Sequence, residues 1–322
     1  MKRPVGVTQP AALIYSMTST RSGLYFCAIL IAALQPVLSI SAAGETHSAA
    51  FWKTFKEHNF AVPAHESAGA LALEIGDLAA STDPSLRDNC GYETLAAWIY
   101  RDNLLTGEQL DALHAKLLPV MISHIGASED DTVFARSFSA LYMSILAAQD
   151  LRKPFLSAGA FKETLDTALR CYAEEKDLRG YIPVKGWAHA TAHVADLLKF
   201  LARSPHLSAE DQKRIVSGVW QRCRTAHLVF TWGEDARMAA ALLSVVDRED
   251  FDASPFKTWF QALIAENKEL WKSPTIDAEA YASVRVQANV LAHLAAKSAP
   301  QKDNVAPASF RDALQATLSK VD

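Results

Sequence analysis

Five charged or titratable residues recur at near-constant intervals, each near the start of a helical pattern. Arg87, Arg136, His189, Arg237 and Arg285 are separated by 49, 53, 48 and 48 residues. Each interval holds one further helical segment. A period of about 45 to 50 residues with two helices per period marks stacked helical hairpins of the HEAT or armadillo kind. The expected fold is therefore all-α, a single-domain α-solenoid. Alanine and leucine dominate and β-branched runs are scarce, which favours helix throughout. In the first three units the polar residue lies opposite the apolar stripe. In the last two the helices are apolar nearly all round and the faces are not assigned.

The stretch DLRGYIPVKGWAHATAHVADLLKFL, residues 177–201, holds the densest chemistry. Gly180, Pro183 and Gly186 mark a loop. From Trp187 the period turns helical, with Trp187, Thr191, Val194, Leu198 and Leu201 on one stripe. His189, His193 and Asp196 fall on the other side, facing solvent or a groove. Spacings of four and three residues stack these side chains. Imidazole plus carboxylate suits a divalent metal, and equally acid–base or ligand-binding work without one. No HExxH helix, GxSxG elbow or phosphate-binding glycine loop occurs, so no cofactor is expected, with a divalent metal at His189, His193 and Asp196 as the alternative.

The first 43 residues read as a secretory signal, with cleavage near Ala43. Lys2, Arg3 and Arg21 precede any acid, Leu24 to Leu34 is an apolar run of 11 residues, and Ser41-Ala42-Ala43 supplies small residues. The start codon is Met1 or Met17. The run is short for a membrane span. Removing the three cations takes the formal net charge from −4 to −7, a poor match for nucleic acid or anionic membrane. The expected location is periplasmic or secreted. Residues 44–65 read as linker and short helix, and 66–322 as the repeat domain. Cys90, Cys171 and Cys223 remain after cleavage. They are buried small hydrophobes by default, with one disulfide open to them in an oxidising compartment.

Leu86 to Arg101 reads as a helix with Tyr92, Leu95, Ala96 and Ile99 on its apolar stripe, and Arg87, Thr94, Trp98 and Arg101 opposite. Thr106 to Ile125 is helical with a break at Pro119. Thr132 to Ala148 carries Arg136 opposite a stripe of Phe134, Phe138, Leu141 and Ile145. Thr225 to Gly233 is the one segment that could be extended. Helices follow over 234–246, 255–271, 278–297 and 308–321.

Four segments, LRDNCGYETLAAWI, DDTVFARSFSALYMSIL, DLRGYIPVKGWAHATAHVADLL and FTWGEDARMAAALL, resemble an uncharacterised bacterial family, the domain of unknown function 2785. The resemblance spans roughly residues 67–243. It implies an all-helical, HEAT-like domain. It implies no activity, and no residue role is carried over from it.

Stacked inner helices would turn their polar faces to one concave surface carrying Arg87, Trp98, Arg136, Arg179 and Arg237 as ligand-binding residues. Trp98 would be a stacking platform and Arg179 an anion clamp or a loop lock. Such a surface suits a polar or anionic ligand: a small molecule, a glycan or a peptide. His189 and His193, with Asp196, Glu234 or Asp235 as carboxylate partner, are the candidates if the protein is a hydrolase or lyase. Glu234 and Asp235 precede a helix and also suit capping.

Overall fold

The computed structural model describes residues 47–299 and 306–321. The signal segment expected over residues 1–43 lies outside them. Among the described residues twelve helices follow in order: α1 Ala49–Lys53, α2 Ala68–Leu78, α3 (85–101), α4 Gly107–Leu117, α5 Thr132–Asp150, α6 Ala158–Glu174, α7 Ala190–Leu201, α8 Ala209–Arg224, α9 Glu234–Val246, α10 Ser254–Leu270, α11 Ala278–Lys297 and α12 Ala308–Leu318. The one β element among the described residues is a hairpin of β1 Tyr181–Ile182 and β2 Gly186–Trp187, antiparallel, with Tyr181 opposite Trp187. The fold is all-helical, as expected. Thr225 to Gly233, the segment that could be extended, forms no strand.

Local chemistry sets the helix ends. Ser157, Ser208 and Asp277 accept backbone N–H groups at the starts of α6, α8 and α11. Thr106 and Gln109 form a reciprocal capping box at α4. Pro119 cannot continue α4, and a single 3₁₀ turn, Pro119–Ile122, replaces it.

Helix α3 packs on α5, α5 on α7, α7 on α9, and α9 on α11, in chain order. The even-numbered helices pack alongside: α4 on α5, α6 on α7, α8 on α9 and α11, α10 on α11, with α6, α8, α10 and α12 touching in turn. One continuous apolar core runs from Trp52 to Val321. Helix α1 belongs to it: Trp52 within the helix and Phe55 just after it are buried. A satellite core of Val133, Phe134, Ala188 and Ala190, with Ile182 against it, sits under the hairpin. Cys90, Cys171 and Cys223 are free thiols, each buried. No helix among the described residues is long and apolar enough to cross a membrane.

Helix α3 departs from the expected period. It is π-wound over Ser85–Tyr92 and Ala96–Arg101, with an α turn, Glu93–Leu95, between. Its amides reach back five residues, as from Asp102 to the Ala97 carbonyl. The wider turn rotates side chains away from the positions a 3.6-residue period assigns. Arg87, Thr94 and Trp98, placed opposite the apolar stripe, are all fully enclosed, while Tyr92 is half-buried.

Gly91 lets Tyr142 reach the backbone of this helix. Tyr142 Oη donates to the Arg87 carbonyl at 2.7 Å, and a Cβ at Gly91 would stand 1.9 Å from that hydroxyl. Tyr142 is itself fully enclosed and cannot swing aside. Gly91→Ala is therefore expected to destabilise the protein by about 1–3 kcal/mol through overpacking. Urea unfolding checks this, and Tyr142→Phe in the same background should recover part of the loss by removing the clashing oxygen.

Candidate ligand site at the starts of α7 and α9

Helix α7 begins at Ala190, three residues later than the periodicity predicts. Trp187 belongs to β2, and His189 caps the helix with left-handed backbone at φ 53°. Two local features account for the delay. Gly186 turns the chain at φ 77°, and a buried cation, Arg87, holds the strand end. Arg87 Nη2 donates to the carbonyls of Lys185 (2.7 Å) and Trp187 (3.1 Å), and Nη1 to that of Ser81 (2.5 Å). Its guanidinium lies over Phe134 and Phe138, 4.0 and 4.5 Å from the ring centres.

His189 and His193 remain neighbours, with ring centres 5.5 Å apart. They do not face open solvent. Helix α7 stands between α5 and α9, and those neighbours cover its polar side, leaving each histidine 7% exposed. His193 packs edge-on to Phe138, and its Nδ1 lies 2.7 Å from Ser137 Oγ. The Ser137 hydroxyl proton goes to the Ala188 carbonyl. His193 Nδ1 must then carry a proton and donate to Ser137.

His189 Nε2 is buried without a hydrogen-bond partner among the described residues, 3.6 Å from Glu234 Oε1. The other Glu234 oxygen accepts the Trp232 backbone N–H at 2.9 Å. Glu234 thus fixes the α9 entry loop and faces the imidazole, and α9 has no side-chain cap bond. Asp196 is bonded by Arg237 Nη1 and lies 3.7 Å from Lys199 Nζ.

Burial drives the electrostatics. Desolvation, followed by the Arg237 charge, lowers His189 to about 4. The same burial, with His189, Arg237 and Arg87 nearby, holds His193 well below the usual imidazole range. Burial pushes Glu234, Asp196 and Asp88 upward, most against the opposing pull of Arg237 on Asp196 and of Arg87 on Asp88. Tyr92 is raised by burial and by the Asp196 charge, which places the α3 phenol beside the cluster. Neutral imidazoles beside carboxyls raised toward neutrality form a perturbed group of the kind binding and catalytic sites use.

The sign of the resulting pH dependence follows directly. Between about 4 and 6.5 the unfolded chain binds protons at these histidines that the folded protein rejects. The stabilising contribution of His189 is therefore complete above pH 6.5 and is lost as pH falls through about 4. For His189 alone, going from pH 7 to pH 5 should cost on the order of 2 kcal/mol. His193 adds in the same direction, and the raised carboxyls oppose it only at the acid end. Urea unfolding at pH 7 and pH 5 checks this, and His189→Gln should flatten the difference.

The structure assigns the remaining candidates elsewhere. Trp98 is not a stacking platform: it is fully enclosed and its indole N–H donates to the Phe60 carbonyl at 2.6 Å. Arg136 is not a ligand residue either. It is 2% exposed, paired with Glu175 and bonded to the carbonyls of Ser123, His124 and Ala127. Arg179 locks its own loop through Asp177 and the Asp130 carbonyl. Arg87 anchors the hairpin. Asp235 turns to His293 of α11 at 3.6 Å, apart from the histidine pair. Of the five proposed ligand-binding residues, Arg237 alone is exposed in the cluster. The metal trio loses its carboxylate to Arg237, and no group of three or more His, Cys, Asp or Glu side chains among the described residues is arranged to hold a metal.

Sequence reasoning missed the aromatic rim. Trp187, read as core, is half-buried and stacks on His189 with ring centres 4.9 Å apart at 23°. Tyr181 and Trp232 pack against Trp187 at 5.2 and 5.7 Å. The signal was available in GYIPVKGW and FTWG, two short loops each carrying aromatics next to glycine.

A model of the family described as protein of unknown function (DUF2785) matches residues 121–295, more than half of the chain and all of α5 to α10. None of the curated proteins matches the chain, and no solved structure does.

Proposed function

The chain belongs to the DUF2785 family of proteins of unknown function, and we propose that it is a ligand-binding protein whose site is the cluster of His189, His193, Asp196, Glu234 and Arg237. The observation that carries this reading is the unbonded Nε2 of His189, buried 3.6 Å from the Glu234 carboxyl. Buried polar atoms in folded proteins nearly always have partners, and an exception points to a group supplied from outside.

The packing order α3, α5, α7, α9, α11 supports a HEAT- or armadillo-like α-solenoid, in which the odd-numbered helices would line a shared hollow. The ligand would sit there, at the starts of α7 and α9. It would be polar rather than anionic. Arg87, Arg136 and Arg179 are engaged by their own neighbours, and Arg237 is shared with Asp196. Around the histidines the carboxyls of Asp196 and Glu234 then offset the cations Arg237 and Lys199, so no positive charge is left over for an anion. Residues 1–43 fit a leader that would carry the protein to the periplasm or the exterior.

A thermal-shift screen of small polar molecules against wild type and His189→Ala/His193→Ala tests the proposal. A ligand at 100 times its Kd adds about 2.7 kcal/mol. We expect at least one compound to stabilise wild type and leave the double variant unmoved. Equal stabilisation of both, or none of either, contradicts the reading. A second reading, hydrolase or lyase, is favoured by one observation: a neutral His189 facing a carboxyl raised toward protonation, the pairing general acid–base catalysis uses. Turnover lost in Glu234→Gln while binding survives would identify it.

A further inference from the structure

We infer that the ligand of this site is a neutral carbohydrate, and that Trp232 and Tyr181 form the surface on which one pyranose ring stacks. This rests on the binding reading above and specifies its ligand class.

Trp232 and Tyr181 are 49% and 46% exposed, far more than aromatics placed for packing need to be. Both are nonetheless held in position. Trp232 lies against Gly180, where a Cβ would stand 2.1 Å from its Cδ1, and its backbone N–H is fixed by Glu234. Tyr181 sits on a hairpin held by Arg87 from beneath and by the Lys185–Asp131 ion pair, 2.7 Å, at its flank. Two loops far apart in sequence converge to present rigid, half-exposed rings.

The ring geometry separates ligand classes. Tyr181, Trp187 and Trp232 contact one another at 5.2 to 6.1 Å, so no void remains between them for a caged ammonium group. Only their outward faces are available. An aromatic face is electron-rich and attracts the weakly positive C–H bonds that line one side of a pyranose. The rings continue inward through Trp187 and His189 to His193, from an apolar rim to a polar interior. That interior mixes acceptors (Glu234, Asp196) with donors (Arg237, Lys199) and an unpartnered imidazole nitrogen. Hydroxyl groups, which both donate and accept, suit such a set. Phosphate and nucleic acid do not, because the two carboxyls there offset the two cations and no positive charge is left over.

The test uses the full chain with maltohexaose, cellohexaose and N-acetylchitohexaose as probes. Saturation-transfer NMR and tryptophan fluorescence are the readouts, with choline chloride as a cationic control. At least one hexasaccharide should bind wild type, with saturation on its ring C–H protons. Trp232→Ala and Tyr181→Ala should each weaken binding on the order of tenfold, and Trp232→Phe should retain most of it. Melting temperatures of these variants guard against a folding defect. The inference is overturned if no hexasaccharide binds, if choline binds in their place, or if binding is indifferent to both aromatic substitutions. The two levels separate through Glu234→Gln. Binding lost there but kept in Trp232→Ala overturns the stacking surface and leaves the polar site standing. Binding lost in Trp232→Ala but kept in Glu234→Gln retains the stacking surface and overturns the polar site.

Discussion

Arg87→Ala should lower the melting temperature by on the order of 10 °C, among the largest effects of any single change in the chain. The side chain is fully enclosed, lies over Phe134 and Phe138, and donates to three carbonyls from two distant segments. Truncation leaves the Ser81, Lys185 and Trp187 carbonyls buried without donors, each at about 1–3 kcal/mol, and opens a cavity between two phenyl rings. Relaxation of the hairpin toward water recovers part of that sum and leaves roughly 3–5 kcal/mol, at about 2–4 °C per kcal/mol for a domain of this size. Arg87→Lys should rescue little, because one ammonium cannot span three carbonyls that a planar fork reaches. The loss is also local. Near-ultraviolet circular dichroism from Trp187 and Trp232 should weaken before the helical signal does, since Arg87 is what fixes the hairpin under them. Coincident loss of both signals at an unchanged midpoint would contradict this role.

Arg136→Ala should be about as damaging, for a different reason. Arg136 and Glu175 form a buried pair at 2.5 Å, both nearly inaccessible to water. Removing one partner leaves the other charge buried alone, which costs roughly 3–5 kcal/mol. Removing both charges often restores stability in such pairs, but here it should do so only in part. Arg136 also donates to the Ser123, His124 and Ala127 carbonyls, and Glu175 accepts the Asp177 N–H at 2.9 Å. An Arg136→Met/Glu175→Leu protein strips those groups of their partners. Urea unfolding of both singles and the double, with the slope unchanged, should show incomplete recovery. A double variant as stable as wild type would show that the loop bonds contribute nothing.

These two arginines show what a sequence carries and what it hides. The interval near 48 residues was legible because each marker stands on or at the start of an odd-numbered helix: Arg87, Arg136, Arg237 and Arg285 fall in α3, α5, α9 and α11, and His189 caps α7. The histidine cluster was legible because residues four and three apart on a helix share a face whatever surrounds it. Facing was not. Arg87, Trp98 and Arg136 read as polar faces turned to solvent, yet a helix within a row has its flanks covered by neighbours. In α3 the π winding displaces the faces further, and no residue-level periodicity announces a change of winding. The hairpin was hidden for the same reason: it rests on Gly186 and on a cation 99 residues upstream of Gly186 in the chain. Glu234 and Arg237 were found because they stand at a helix start. The aromatic rim was missed because Trp187 fits a helical stripe that begins three residues too early.

The most direct test of the whole account is an imidazole NMR titration of His189 and His193, assigned through single His→Gln variants, in wild type and in Glu234→Gln. The clustered site predicts both rings neutral at pH 6, His193 carrying its proton on Nδ1, and His189 titrating near 4. It also predicts that the His189 signal shifts in Glu234→Gln and that both rings respond to any molecule that stabilises the protein. Two rings titrating independently near 6.5, indifferent to Glu234 and to such a molecule, would contradict it.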